Sequence, residues 1–232
     1  MSGVERIRFV PAWSGPAGAV GGFGTRAFGE EDLRMFAAGR GCRAVWLEQI
    51  HSGTVQVIDG IPPAPPRGDA LVTDQTGLLL AVKTADCLPL LLADERRRVV
   101  AAVHAGWRGT KARITEETVR VMAGRFGVRP EDLAAAMGPC IGRSCYEVGE
   151  DVRTGFREAG FPDDLFAPAG RPGKFHFDLG EANARQLRAA GVSPDRIFRA
   201  AACTLCDPEL FSFRRDRNPS DRLFSFIGLP PA

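Results

Sequence analysis

The sequence is short of net charge, long apolar runs and histidine. Its 30 basic and 28 acidic residues leave a formal net charge of only +2, so it lacks the electrostatic footprint typical of nucleic-acid binding. No apolar run approaches the ~18 residues that a membrane-spanning helix needs. The first residues also lack the basic segment and apolar core of a secretory signal. We therefore expect a cytoplasmic protein without nucleic-acid or membrane partners, whose six cysteines are reduced.

The apolar patterning favours a single α+β domain over residues 1–232. Hydrophobic residues make up 44% of the chain, enough for a substantial core. Short apolar or alternating runs predict strands at 44–51, 54–58, 70–73, 78–82, 196–202, 210–214 and 223–229. Helical periodicity predicts helices at 30–39, 111–126, 148–160 and 179–190. The glycine-rich segment 1–28 is expected to be a loop in which Arg26 is a candidate functional residue.

The stretch from 84 to 110 organises the rest of the chain. Two apolar runs, 88–93 and 99–103, are joined by a charged turn and predict two buried strands of a hairpin. Cys87 precedes the first strand and His104 follows the second, so a hairpin would bring the thiol and the imidazole together. Asp86 could orient a histidine or carry a proton. A simple turn cap is the alternative interpretation for Asp86.

A His/Cys/His set is formed by adding His51, which stands at another predicted strand end. Zinc accepts imidazole nitrogen and thiolate sulfur, and three protein ligands with one open position are typical of catalytic zinc. Copper accepts the same donors. A laccase needs a further histidine-rich cluster, and only His176 remains in this sequence. The spacing alone leaves open two hydrogen-bonded histidines and a buried cysteine.

Two further motifs have weaker interpretations. Cys203 and Cys206 form a CxxC pair that lacks a second pair, so coincidence is favoured over a redox or metal role. Arg214 and Arg215 follow an alternating aromatic segment and suit bidentate anion binding. An exposed strand end explains the two arginines equally well.

These segments resemble the YfiH/PgeF family, also called the multicopper polyphenol oxidoreductase (laccase) family and related to mammalian FAMIN. The matching pieces occur in family order and are GFGTR (22–26), QIHSG (49–53), TADCLP (84–89), HAGWRG (104–109), GPCIG (138–142), YEVG (146–149) and FSFRR (211–215). The departures are small. Phe213 stands where the family often has Tyr or His, and the turn after Arg26 is shortened.

The resemblance implies a zinc site at His51, Cys87 and His104. It implies a mixed β-sandwich flanked by helices, similar to the cysteine hydrolase fold of cytotoxic necrotizing factors and CheD-type deamidases. The implied activities are adenosine deamination and phosphorolysis of adenosine, inosine and methylthioadenosine, so the expected ligands are a nucleoside and phosphate. Cys87, Asp86, Arg26 and Arg214 are then the expected catalytic residues, with Arg108 and Arg215 binding substrate.

Four alternatives remain. Cys87 and His104 could form the nucleophile and base of a metal-free hydrolase. Some bacterial members of the family are linked to the editing of peptidoglycan precursors. A copper-dependent polyphenol oxidase is disfavoured by the histidine count. A module that binds nucleosides without turning them over would differ from an enzyme in leaving adenosine unchanged.

Overall fold

A computed structural model describes residues 6–10 and 18–231. The strands described are β1 (Ile7–Phe9), β2 (Val20–Gly24), β3 (Arg43–Trp46), β4 (Val55–Val57), β5 (Ala70–Thr73), β6 (Leu78–Thr84), β7 (Leu88–Asp94), β8 (Val99–Ala105), β9 (Ala134–Met137), β10 (Glu147–Gly149), β11 (Phe166–Pro168), β12 (Lys174–Phe177), β13 (Ile197–Arg199) and β14 (Leu223–Leu229). The α-helices are α1 (Glu30–Ala38), α2 (Trp107–Lys111), α3 (Ile114–Phe126), α4 (Glu150–Glu158), α5 (Leu179–Ala189) and α6 (Phe213–Asp216). The predicted α+β class with mixed sheets is confirmed. No helix in the described ranges is both long and apolar enough to cross a bilayer.

The strands form three sheets. The larger two have the orders β1-β2-β14-β6-β3 and β13-β9-β7-β8-β5-β4, and the smallest is β10-β12-β11. Both larger sheets mix parallel with antiparallel pairs, since β3–β6 and β4–β5 are parallel while β7–β8 is antiparallel. The predicted hairpin is therefore confirmed. Its register places Pro89 opposite His104, which lies inside β8 rather than after it.

The two larger sheets pack face to face. One core cluster joins Val82 of β6 and Ile227 of β14 to Leu91 of β7 and Val100 of β8. On the opposite face of β7 and β8, alternate residues pack in a second core with side chains of α3, α4 and α5. Because both faces are covered, every residue of β7 and β8 is buried. This burial explains why the two strands read as uninterrupted apolar runs.

The glycine-rich segment near the N-terminus differs from its prediction. Residues 20–24 form β2, which pairs with β1 and β14. A Cβ added at Gly22 would lie 2.8 Å from Ile7 Cγ2, and one at Gly24 would lie 2.8 Å from the Phe224 backbone oxygen. These glycines therefore permit close packing within a sheet rather than forming a loop. Residues 1–5 and 11–17 of the predicted loop lie outside the described residues.

The predicted strand at 210–214 is wrong. Residues 213–216 form the short helix α6, because the Ser212 side chain caps it by accepting a hydrogen bond from the Arg215 backbone N–H. The single helix predicted over 111–126 is divided into α2 and α3, and the division falls at Arg113, whose φ is 60°. Strands β9, β10, β11 and β12 have no counterpart among the predicted strands, and β10 occupies the start of the helix predicted at 148–160.

Candidate metal centre and cleft

The three predicted ligands meet where the two larger sheets adjoin. His51 follows β3 of one sheet, Cys87 lies between β6 and β7 as the chain passes to the other sheet, and His104 belongs to β8. One donor atom from each residue lies within 4.8 Å of the others. The two imidazole rings are arranged edge to face, with centroids 4.8 Å apart. The fold thus brings together residues that sequence spacing alone could not join.

Asp69, which sequence reasoning missed, supports both histidines. Its side chain is fully buried just before β5. Its Oδ1 accepts hydrogen bonds from the His51 backbone N–H at 3.0 Å and lies 2.8 Å from Nδ1 of His104. Its Oδ2 accepts from the backbone N–H and hydroxyl of Ser52 at 2.6 and 2.8 Å. Because Asp69 engages Nδ1 of His104, Nε2 is the nitrogen left for a metal.

The pKa values follow from this geometry. Burial alone would lower the pKa of His104, but the Cys87 thiolate and Asp69 outweigh burial and raise it to about 9. Burial, together with His104 and Arg108, lowers the pKa of His51. Burial would raise the pKa of Asp69, but hydrogen bonds from His104 and Ser52 bring it below its ordinary value. A metal ion and a proton would compete for His104, so binding would release protons.

The space around the donor atoms depends on Gly106. A Cβ at this position would lie 3.0 Å from Cys87 Sγ and 3.3 Å from His51 Nδ1. His51 and Asp86 also have positive φ angles of 55° and 91°. Such backbone strain in residues other than glycine is typical of functional sites. A set of two imidazoles and one thiolate, with room left by a glycine, fits a zinc or copper ion.

The cluster opens into a cleft of about 1030 Å³ that carries both cationic and aromatic groups. Its basic lining residues are Arg26, Lys83, Arg108, Arg214 and Arg222. Its aromatic lining residues are Phe28, Trp107, Tyr146, Phe211, Phe213 and Phe224. Sequence reasoning missed Lys83 and Arg222, because their places in the cleft depend on the packing of β6 and of the segment before β14.

Arg26, Arg108 and Arg214 all face this cleft. The Arg26 guanidinium lies over the Phe211 ring and 3.6 Å from a carboxylate oxygen of Asp216. Arg214 donates to the Glu147 carbonyl oxygen at 3.1 Å. Arg108 lies over the Trp107 ring and has no carboxylate partner among the residues that the structure describes.

Asp86 lines the cleft, but its carboxylate is already engaged. Its two oxygens accept hydrogen bonds from the Thr204 hydroxyl at 2.7 Å and from the Arg214 backbone N–H at 2.6 Å. These bonds resemble the turn-capping alternative more than those of a free proton carrier. Asp86 directly precedes Cys87 in sequence, so its two hydrogen bonds connect the loop at 204 and the start of α6 to the candidate metal centre.

Arg215 is not among the described residues that line the cleft. Its guanidinium donates to the carbonyl oxygens of Thr204 at 3.0 Å, Leu205 at 3.1 Å and Leu210 at 2.6 Å. It also pairs with Asp216 at 2.7 Å. These contacts hold the chain between 204 and 210, and the expected role of Arg215 in binding substrate stays a prediction.

Fold and cluster together define a class of α+β proteins built around a candidate metal centre in a cationic cleft. Residues 29–230 match the family model described as multi-copper polyphenol oxidoreductase laccase. The chain belongs to this family, which is also the YfiH/PgeF family. The resemblance inferred from the motifs is thereby confirmed.

Two curated proteins and one crystal structure show what the chain is similar to. It is 44% identical over 184 residues to a purine nucleoside phosphorylase of Deinococcus radiodurans, covering 79% of this chain and 69% of that one. It is 42% identical over 199 residues to adenosine deaminase RL5 of an unknown prokaryote, covering 85% and 75%. The crystal structure of YfiH from Bacillus licheniformis superposes with a TM-score of 0.84 at 28% identity, covering 95% and 98%.

Proposed function

We propose that this protein is a zinc-dependent purine nucleoside enzyme. It deaminates adenosine to inosine and cleaves adenosine, inosine and methylthioadenosine by phosphorolysis. The observation that carries the proposal is the His51, Cys87 and His104 cluster, supported by Asp69, at the base of a cationic and aromatic cleft. Relatives named purine nucleoside phosphorylase and adenosine deaminase support the same substrate class.

The metal in this proposal is zinc, held by His51, Cys87 and His104. When bound there, zinc supplies Lewis-acid chemistry that activates water at neutral pH. Copper is the less favoured metal. A laccase needs additional histidines, the sequence has three, and His176 lies in β12 outside the described cleft lining. Asp69 orients the His104 ring and favours the tautomer that presents Nε2.

The aromatic groups of the cleft suit a purine. Phe213 is 45% exposed although it is a large apolar side chain, and it stands on the cleft wall at the start of α6. A flat exposed ring of this kind can stack on a base. The cleft volume of about 1030 Å³ accommodates a nucleoside together with an anion.

The cationic groups of the cleft suit phosphate. Among the acidic lining residues, Glu30 pairs with Arg34 at 2.8 Å and Glu48 pairs with Arg67 at 3.2 Å, and among the basic ones Arg26 pairs with Asp216 at 3.6 Å. The basic lining residues that remain, Lys83, Arg108, Arg214 and Arg222, outnumber the remaining acidic ones, Asp86 and Asp221. In the proposal, cationic donors bind and orient the phosphate anion that attacks the ribose. Arg108, Arg214 and Arg26 take this role in the proposal.

Elemental analysis and product identification test the proposal. The purified chain is expected to carry zinc, to convert adenosine to inosine, and to form adenine and ribose-1-phosphate when phosphate is added. Cys87→Ala should lose turnover and the ion held by His51, Cys87 and His104. Cys42→Ala, the same change at a buried cysteine outside the described cleft lining, should keep both. Full turnover by metal-free protein, or no turnover of any purine nucleoside, would contradict the proposal.

A metal-free hydrolase is the second candidate, because one observation favours it. Nδ1 of His104 lies 2.8 Å from Asp69, and Sγ of Cys87 lies within 4.8 Å of a His104 ring nitrogen, which is the order of a nucleophile, a base and an orienting acid. Iodoacetamide separates the two candidates. A zinc-ligated Cys87 should react slowly and become faster after chelation. Fast stoichiometric labelling of Cys87 in the zinc-replete protein would favour the hydrolase. The expected likeness to cytotoxic necrotizing factors and CheD-type deamidases stays a prediction.

A further inference from the structure

Three cysteines outside the cleft come together from two distant parts of the chain. The sulfur atoms of Cys145, Cys203 and Cys206 all lie within 4.8 Å of one another. Sγ of Cys145 and Sγ of Cys206 are 3.4 Å apart, although 61 residues separate the two in sequence. With Zn–S bonds of about 2.3 Å, sulfurs that share a tetrahedral ion lie roughly 3.8 Å apart. The cluster therefore has the dimensions of a metal–thiolate site.

The backbone around Cys203 supports a thiolate. Gly142 donates its N–H to Cys203 Sγ at 3.2 Å. A Cβ at Gly142 would lie 3.3 Å from the same sulfur, so glycine allows this close approach. Hydrogen bonds from backbone N–H groups to sulfur are a recurring way in which proteins tune metal-bound thiolates.

The loop that carries two of the cysteines is held in place before any ion binds. The Cys206 backbone N–H donates to the Cys203 carbonyl oxygen at 3.1 Å, and the Asp207 N–H donates to the same oxygen at 2.9 Å. The Arg215 guanidinium binds the carbonyl oxygens of the two residues between the cysteines, as described above. Cys145 ends a 3₁₀ turn, Arg143–Cys145, that faces this loop. Preorganisation of this kind lowers the cost of binding an ion.

We propose that Cys145, Cys203 and Cys206 form a second metal site that binds a thiophilic divalent ion of the zinc class. The spacing of Cys203 and Cys206 is that of a zinc knuckle, and Cys145 supplies the third thiolate. Cys206 is exposed, so water completes the coordination. Binding releases the thiol protons to solvent and involves no change of oxidation state. The site shares no residue with the His51, Cys87 and His104 cluster and does not depend on the proposed activity.

The second site adjoins the cleft through one hydrogen bond. Thr204, which lies between Cys203 and Cys206, donates its hydroxyl to Asp86 at 2.7 Å. An ion bound to the three thiolates would therefore restrain the loop that positions Asp86. The site is therefore a structural one, and the ion in it would help to fix the position of Asp86 in the cleft wall.

Zinc content in a background that lacks the first site tests the proposal. After reconstitution with excess zinc and gel filtration, the wild type should hold about two ions per chain and Cys87→Ser about one. Adding Cys206→Ser or, independently, Cys145→Ser to Cys87→Ser should remove the remaining ion. Ser144→Ala, a change at the exposed neighbour of Cys145, should leave it in place. Far-ultraviolet circular dichroism checks that each variant is folded.

Cobalt substitution gives a second measurement. In Cys87→Ser, the thiolate-to-cobalt charge-transfer absorption should persist, and it should collapse when Cys206 or Cys145 is also replaced. Unchanged zinc content and unchanged cobalt absorption in both double variants would overturn the proposal. So would a Cys145–Cys206 disulfide, found in place of bound metal when thiols are trapped during isolation from cells.

Discussion

Replacing Asp69 with asparagine removes one charge and one hydrogen-bond acceptor beneath the two histidines. The carboxylate accepts the His51 N–H, the Ser52 N–H and the Ser52 hydroxyl, and it contacts Nδ1 of His104. An amide nitrogen in place of Oδ1 would face two donors, those of His51 and His104. In place of Oδ2 it would face one backbone donor, because the Ser52 hydroxyl can turn and accept. The second orientation is the less costly and is the one expected.

The magnitude follows from that orientation. One buried backbone donor loses its acceptor, which should lower the free energy of unfolding by about 1–3 kcal/mol. The His104 ring then contacts a neutral carbonyl group instead of a carboxylate, so it becomes a weaker ligand. Changes of this kind beside a metal ligand typically lower metal affinity by roughly 10- to 100-fold. Each tenfold loss corresponds to about 1.4 kcal/mol.

Competition with a chromophoric chelator measures the affinity, and unfolding of the chelated protein measures the stability. Ser52→Ala removes one donor to Asp69 but leaves the His104 contact, so it should keep the affinity. Asp94→Asn changes an equally buried carboxylate at the far end of the β7–β8 hairpin, where it accepts the N–H groups of Arg96 and Arg97. It should also keep the affinity. If Asp69→Asn is destabilised yet binds metal as the wild type does, Asp69 supports only the fold.

Three other substitutions test separate groups. Arg214→Ala should raise the activation barrier of the phosphate-dependent reaction by about 2 kcal/mol, which lowers its rate roughly thirtyfold. Inosine formation should be spared, because the hydrogen bond from the backbone N–H of residue 214 to Asp86 does not need the arginine side chain. Equal losses in both reactions would mean that Arg214 serves the nucleoside or the fold. Phe213→Ala should raise KM for nucleosides by roughly fivefold or more through lost stacking, whereas the equally exposed Phe198→Ala should not. Burial opposes ionisation of Glu181, but three arginines outweigh it and hold its pKa at about 2, so the stability advantage over Glu181→Gln should be full above pH ~4.5 and disappear as pH falls towards 2. A pH-independent difference in melting temperature would contradict this assignment.

The parts of the fold that sequence predicts are those governed by local pattern. Strands β7 and β8 are covered on both faces, so their apolar runs are unbroken and their hairpin is recognisable. The segment at 210–214 alternates like a strand, yet the cap formed by Ser212 begins a helix there. Gly22 and Gly24 suggested a loop, because a sequence does not reveal that a neighbouring strand needs the space of a missing Cβ.

The candidate site was predictable in its ligands but not in their support. Residue type and position at predicted strand ends made His51, Cys87 and His104 candidates, and the family resemblance favoured them as ligands over two hydrogen-bonded histidines and a buried cysteine. Asp69 left no comparable signal. Its partners Ser52 and His104 lie 17 and 35 residues away, and only the tertiary fold brings them to one carboxylate.

The position of the metal ligands at the junction of two sheets has a thermodynamic consequence. His104 belongs to the six-stranded sheet, whereas His51 and Cys87 lie in the two connections, β3–β4 and β6–β7, that cross to it from the five-stranded sheet. The complete ligand set exists only while the sheets are packed together, so an ion that binds it adds its binding free energy to that packing. Removal of the ion by a chelator should therefore loosen the contact between the two sheets near the ligands. Amide hydrogen exchange should accelerate at residues 49–53 and 85–87 well before the interior of β7 and β8 loses protection.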